Sequence, residues 1–308
     1  MSLLGARHQT LPDFDGATGW LNSDPLTAEG LRGNVVLVDF CTYTCINWLR
    51  TLGFVRAWWE KYADKGLVVV GVHTPEFPFE HDVDNVREAA KEMRVGYPIA
   101  LDPNFAVWRA FDNHYWPAVY IADAEGRIQH HHFGEGGFEE CEQVIQQLLG
   151  SEDGFVSPVL EGFEVQADWA NLQSPETYLG YEQAQNFVDR EGAELRLNQW
   201  ALSGDWSVEA GKSVLNRAGG GIAFRFHGRD VNLVMGPPSR GASLPFRVSV
   251  DGEPPGDAHG LDVDGDGRGT LSQQRLYQLV RKPGAIVDRT FEIAFDAAGA
   301  EAYCFTFG

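Results

Sequence analysis

The chain has 308 residues, 44% of them hydrophobic, and a formal net charge of −20 at pH 7. That length suggests about two domains, each with enough apolar residues to bury a core. The charge is spread evenly, with 11 basic and 21 acidic residues in 1–150 and 13 and 23 in 151–308, which argues against nucleic acid and anionic membrane as partners.

At the N-terminus no charged region precedes an apolar stretch, so no signal peptide is read there. No run of about 18 apolar residues follows anywhere, so no membrane span is expected. Residues 8–34 are rich in turns, with Trp20, Leu21 and Leu31 as apolar anchors. The apolar run 35–40 reads as a buried strand. A helix is expected over 46–63, with Gly66 ending it, then a second buried strand over 67–72. A loop with two prolines leads to a helix over 83–94, a short strand over 98–101 and a short helix over 105–111. Trp116-Pro117 precedes a strand over 118–122. Asp123-Ala124-Glu125-Gly126 is a hairpin signal, and 127–133 is the return strand. A last helix runs over 138–149. Strands joined through helices pair in parallel, and the closing hairpin adds antiparallel neighbours.

The first domain is therefore 1–155, with a linker over 156–176. From 177 to 308 glycines and short alternating strands dominate: 223–227, 231–235, 246–250, 276–280, 291–295 and 302–307. This reads as an all-β sandwich or jelly roll.

Cysteine use points to chemistry in the first domain. Cys41 and Cys45 lie close together, whereas Cys141 and Cys304 are isolated, so the four read as one redox site and two incidental thiols. Cys45 falls where the strand 35–40 turns into the helix. The positive end of the helix dipole there favours thiolate over thiol, and an exposed thiolate attacks disulfides or peroxides. Asp39 sits inside the otherwise apolar strand, where a carboxylate is costly unless paired or neutral.

The segment Val35–Trp48 resembles the active-site segment of thioredoxin-like proteins, in which a strand ends Val-Asp-Phe-Trp and Cys-x-x-Cys opens a helix. Asp39 and Phe40 match, and Cys45 falls on the nucleophilic cysteine. Two positions depart. Cys41 stands where the family has tryptophan, and Trp48 stands where it has the resolving cysteine. The likeness is to the soluble part of DipZ-type, TlpA-like proteins, whose motif reads roughly Trp-Thr-Tyr-Ser-Cys-Ile-Asn-Cys, and it extends over nearly the whole chain. It implies a β-hairpin lead-in over 8–34, a thioredoxin fold with a TlpA-type insertion and a carbohydrate-binding-type jelly roll behind it. It also implies a location outside the cytoplasm, which a native N-terminus without a signal peptide would not. The family's aspartate, here Asp39, accepts a proton from the resolving cysteine, and Pro117 matches the family's cis-proline, which would set the Trp116 backbone against Cys45. Thr42 and Cys45 also fit the Thr-x-x-Cys end of a peroxiredoxin motif, but Val38 stands where that motif has proline.

Other residues are weighed against plainer roles. His130, His131 and His132 lie in a strand, with His131 on the opposite face from the other two. No third convergent metal ligand is visible, so ordinary strand histidines are expected. Glu135, Glu139, Glu140 and Glu142 read as a solvated helix start. Asp262, Asp264, Asp266 and Gly267 have calcium-loop spacing, but Gln273 stands where a bidentate glutamate belongs. Weak calcium binding at most is expected there, the plainer reading being a hairpin loop, and no other cofactor. Trp169, Trp200, Trp206, Tyr178 and Tyr181 are either a sugar-stacking surface or sandwich core.

The resulting expectation is an α/β thioredoxin fold, a mixed sheet flanked by helices, followed by an all-β sandwich. Its activity would be thiol–disulfide exchange with protein thiols or disulfides, Cys45 acting as nucleophile and Cys41 as the nearby second thiol, in a C-x-x-x-C pair. The alternative is a redox-inactive thioredoxin-fold binding protein whose sandwich recognises a glycan or a protein partner.

Overall fold

The computed structural model describes residues 10–189 and 194–308. The chain forms two compact units, the first ending at Glu164 and the second beginning at Val165.

The first unit runs β1 (Gly19–Leu21), β2 (Val35–Cys41), α1 (Ile46–Tyr62), β3 (Leu67–His73), α2 (Val83–Glu92), β4 (Ile99–Leu101), α3 (Ala106–Ala110), β5 (Ala118–Ala122), β6 (Ile128–Phe133) and α4 (Phe138–Leu149). These build one mixed sheet in the order β1-β4-β3-β2-β5-β6. β2, β3 and β4 pair in parallel, while β1, β5 and β6 join antiparallel. This is the helix-flanked mixed sheet of the thioredoxin fold. The expected N-terminal hairpin is instead the single strand β1, which pairs with β4. Its partner lies about 80 residues away, and no spacing rule in the turn-rich stretch points to it.

β2 is buried along its whole length. Alternation sends Val36, Val38 and Phe40 into a cluster with Leu11, Phe14, Trp108, Phe111 and Tyr120. Burying each such side chain contributes about 1.5–3 kcal/mol. Leu37, Asp39 and Cys41 face the other way. The chain returns from α1 through Gly66, whose φ of 100° suits glycine, and the Gly66 carbonyl accepts from Val35 N–H at 3.0 Å. Residues 151–161 have no regular structure. They are tied back through Glu142, which is buried rather than solvated. Glu142 accepts from Trp58 Nε1 (3.2 Å), Tyr62 Oη (2.7 Å), Lys61 Nζ (3.3 Å) and Val156 N–H (2.9 Å).

The second unit contains β7 (Thr177–Tyr178), β8 (Trp200–Ser203), β9 (Trp206–Val208), β10 (Ser213–Leu215), β11 (Gly221–Phe226), β12 (Asp230–Gly236), β13 (Leu244–Val250), β14 (Arg268–Leu271), β15 (Arg275–Arg281), β16 (Arg289–Phe295) and β17 (Glu301–Phe307). One antiparallel sheet has the order β15-β12-β17-β10-β9, with β7 on β17, and the other β14-β13-β16-β11-β8. Their inner faces share a core in which Phe224 meets Phe305 at 5.3 Å and Phe246 meets Tyr277 edge-on at 6.3 Å. Trp200 belongs to this core and the half-buried Trp206 packs against it on Phe295, while Trp169 and Tyr181 are exposed.

Replacing Glu142 by alanine strands several buried donors at once. The expected loss is about 3 kcal/mol of stability, read as a lower urea midpoint, with faster proteolysis of residues 151–161. An unchanged midpoint would remove Glu142 from this role.

Candidate functional site

The turn between β2 and α1 places Cys45 as the N-cap of α1. Its N–H donates to the Thr42 carbonyl at 3.2 Å, and its own carbonyl accepts from Leu49 N–H at 2.9 Å. The Cys45 sulfur lies 3.9 Å from the Trp116 carbonyl oxygen. The Trp116–Pro117 bond is cis, and the sulfur contact joins Cys45 to the carbonyl before Pro117 across 71 positions of sequence. Neither Cys41 nor Cys45 is joined in a disulfide, and both are buried.

Cys41 ends β2, and its thiol donates to the Val72 carbonyl at 3.5 Å. Burial, reinforced by Asp39, Glu80 and Cys45, pushes this thiol well above the usual range. By strand register Cys41 sits beside His73, and both line a cavity of about 20 Å³ under Tyr43, Trp48 and Val86. Burial holds the His73 imidazole neutral, at about 3.

Trp48 explains how the exchanged positions are accommodated. Its Nε1–H donates to Asp39 Oδ2 at 2.9 Å, and Tyr97 Oη donates to the same oxygen at 3.4 Å. The indole thus supplies a hydrogen bond to Asp39 from the position of the family's second cysteine. Burial raises the Asp39 carboxyl to about 6, partly offset by these two donors.

Glu80, Tyr97 and His73 join the site without having stood out in the sequence. Glu80 accepts from Thr44 Oγ1 (2.6 Å) and from the N–H groups of Glu76 (2.6 Å) and Phe77 (2.8 Å), which clamps the loop after β3 to the turn carrying Cys45. An acidic residue in a loop reads as solvated, and only the fold reveals its burial. Glu135 differs from expectation in the same way: it is buried and paired with Arg50 at 3.3 Å.

The remaining candidates make other contacts. His130 and His132 are half-buried and His131 is exposed, as alternation requires. His130 approaches Cys141 at 3.7 Å and Glu140 at 4.0 Å, and burial pushes the Cys141 thiol up to about 12. Asp262 bonds Arg275 (2.6 Å) and Gln278 N–H (2.7 Å), Asp264 accepts from Arg268 N–H (2.8 Å), and Asp266 pairs with the Arg268 side chain (2.6 Å). Among the described residues no group of three His, Cys, Asp or Glu is arranged to hold a metal. No helix among them is long and apolar enough to cross a membrane.

Asp39 gives the site a pH signature. A carboxyl raised from 3.8 to about 6 on folding stabilises the fold fully below 3.8 and loses that contribution as pH rises through about 6. The full difference corresponds to about 3 kcal/mol. Asp39→Asn should therefore gain stability relative to wild type between pH 4 and pH 8, by up to that amount. Urea unfolding across this range is the measurement, and a pH-independent difference would refute the assignment.

Residues 8–131 match the AhpC/TSA family, and residues 174–308 match the family described as thioredoxin like C-terminal domain. Protein DipZ of Mycobacterium tuberculosis (strain CDC 1551 / Oshkosh) is 37% identical over 243 residues, which cover 74% of this chain and 35% of that protein, so the chain spans about a third of the length of this relative. Thiol-disulfide oxidoreductase YkuV of Bacillus subtilis (strain 168) is 31% identical over 146 residues, covering 47% of this chain and 97% of that protein. The solution structure of a thioredoxin-like protein in the oxidized form shares 31% identity, covering 47% of this chain and 98% of that one, with a TM-score of 0.44. With YkuV matched almost end to end at this identity, the chain belongs to the thioredoxin-like thiol–disulfide oxidoreductase family.

Proposed function

We propose that the first unit exchanges disulfides with protein thiols, using Cys45 as nucleophile and Cys41 as second thiol. The observation that carries this reading is the placing of the Cys45 sulfur at the N-terminus of α1, 3.9 Å from the carbonyl before cis Pro117. The helix terminus stabilises the thiolate. An extended substrate segment pairs with the Trp116 backbone and brings its disulfide to Cys45.

The Cys45 thiolate attacks one substrate sulfur. The substrate S–S bond breaks, its other sulfur leaves as a thiolate and takes a proton from solvent, and Cys45 is left in a mixed disulfide. Trp48 has no thiol, so resolution falls to Cys41, four residues back. A Cys41–Cys45 bond needs Cα atoms about 4.4–6.8 Å apart, reached directly or with a small movement of the turn 42–44. Resolution releases the second substrate thiol.

Peptide mapping after mild oxidation tests the pair. Wild type should yield a linked Cys41–Cys45 peptide, and Cys41→Ser should accumulate mixed disulfide or sulfenic acid on Cys45 instead. A folded protein whose Cys45 resists both oxidant and alkylating agent would overturn the exchange reading in favour of a binding protein.

A further inference from the structure

The segment Gly134-Glu135-Gly136-Gly137 links β6 to α4. Its three glycines have φ of 83°, 111° and 63°, so its backbone has little conformational preference to hold it in place. It nevertheless supports the cis-proline turn, because Gly134 N–H donates to the Pro117 carbonyl at 2.8 Å. What anchors the loop is Glu135. Its side chain runs inward to Arg50 on α1, at 3.3 Å, with the two side chains 2% and 1% exposed. Arg50 lies five residues beyond Cys45 on the same helix. One turn further along this seam, Phe54 of α1 stacks on Phe138 at 3.8 Å.

We infer that Arg50 and Glu135 are positioning residues, whose buried ion pair sets the height of the cis-proline turn over Cys45 and so the fit of an incoming peptide disulfide. The inference rests on Cys45 being the nucleophile. Thiolate attack needs the substrate S–S bond in line with the attacking sulfur, and the Trp116–Pro117 backbone is the surface against which the substrate strand is held. A charge-assisted pair in a dry setting has a narrow geometry, whereas a loop of glycines does not. A displacement of about 1 Å in such a clamp is enough to lose about a hundredfold in rate. The ion pair and the glycine loop therefore divide the work: the glycines let the backbone reach Pro117, and the pair fixes where it does so.

The test uses the full chain with a fluorescent peptide disulfide and dithiothreitol as reductant. Glu135→Gln should raise KM for the peptide at least tenfold. Alkylation of Cys45 by iodoacetamide, which needs no clamp, should stay within about twofold of wild type. Phe138→Leu loosens the same seam farther from the turn and should leave KM within about threefold. The double variant Arg50→Met with Glu135→Leu removes both charges together and should reproduce the rise in KM, which serves if Glu135→Gln does not fold. A KM within twofold of wild type in a folded variant overturns the inference, as does an equal loss in Cys45 alkylation, which would place the effect on the helix instead of the clamp. If wild type neither turns over the peptide nor alkylates at Cys45, the exchange reading itself falls and this inference with it.

Discussion

A carboxyl group buried in the middle of the central strand constrains the first unit more than any other feature. Asp39 is fully buried on β2, and its Oδ2 is met by the Trp48 indole and the Tyr97 hydroxyl. An isolated buried carboxylate is strongly unfavourable, so such a group is paired, hydrogen-bonded or neutral. Here two neutral donors satisfy part of it and the carboxyl is raised toward neutrality. The indole at position 48 therefore fills the helix side of the site and also supplies a donor. With tryptophan in that place, the thiol nearest to Cys45 in sequence is Cys41, at the end of the strand, where burial pushes it well above the usual range.

The rim of the site is assembled from segments far apart in sequence, each held by polar contacts that are buried. Glu80 fastens the loop after β3 to Thr44, and Glu135 fastens the loop after β6 to Arg50. Buried pairs of this kind contribute less to net stability than to fixing one geometry, since removing either partner leaves an uncompensated group behind. Glu80 bonds the side chain of Thr44, the neighbour of Cys45, and the Glu135 loop donates through Gly134 N–H to the Pro117 carbonyl. Glu142 applies the same device away from the site, where it holds residues 151–161 to α1 and α4.

In the second unit, apolar side chains at alternate positions of β11, β13 and β16 pack into one core between two antiparallel sheets. Its aspartate loop is self-contained, with the three carboxylates divided between Arg275, Arg268 and backbone N–H groups. The large aromatics split by the same logic: Trp200 is core, while Trp169 remains on the surface.

What the sequence alone determined follows from local periodicity and local chemistry. The apolar runs of β2 and β3, the helical spacing of α1 and α4, the alternation in β6 and the second unit, and the placing of Cys45 at a strand-to-helix turn are all readable because they depend on neighbours within a few residues. The Asp39–Phe40 and Cys45 positions also carried the family likeness. What only the tertiary structure decided are the pairings across long separations. β1 found β4 instead of forming a hairpin, Trp48 turned its indole onto Asp39, Glu135 and Glu142, which read as ordinary solvated acids, became buried acceptors, and so did Glu80, which no sequence signal singled out. The physical reason is common to all of them. Whether a polar side chain is exposed or satisfied in the interior depends on which distant segment packs over it, and no local pattern encodes that partner.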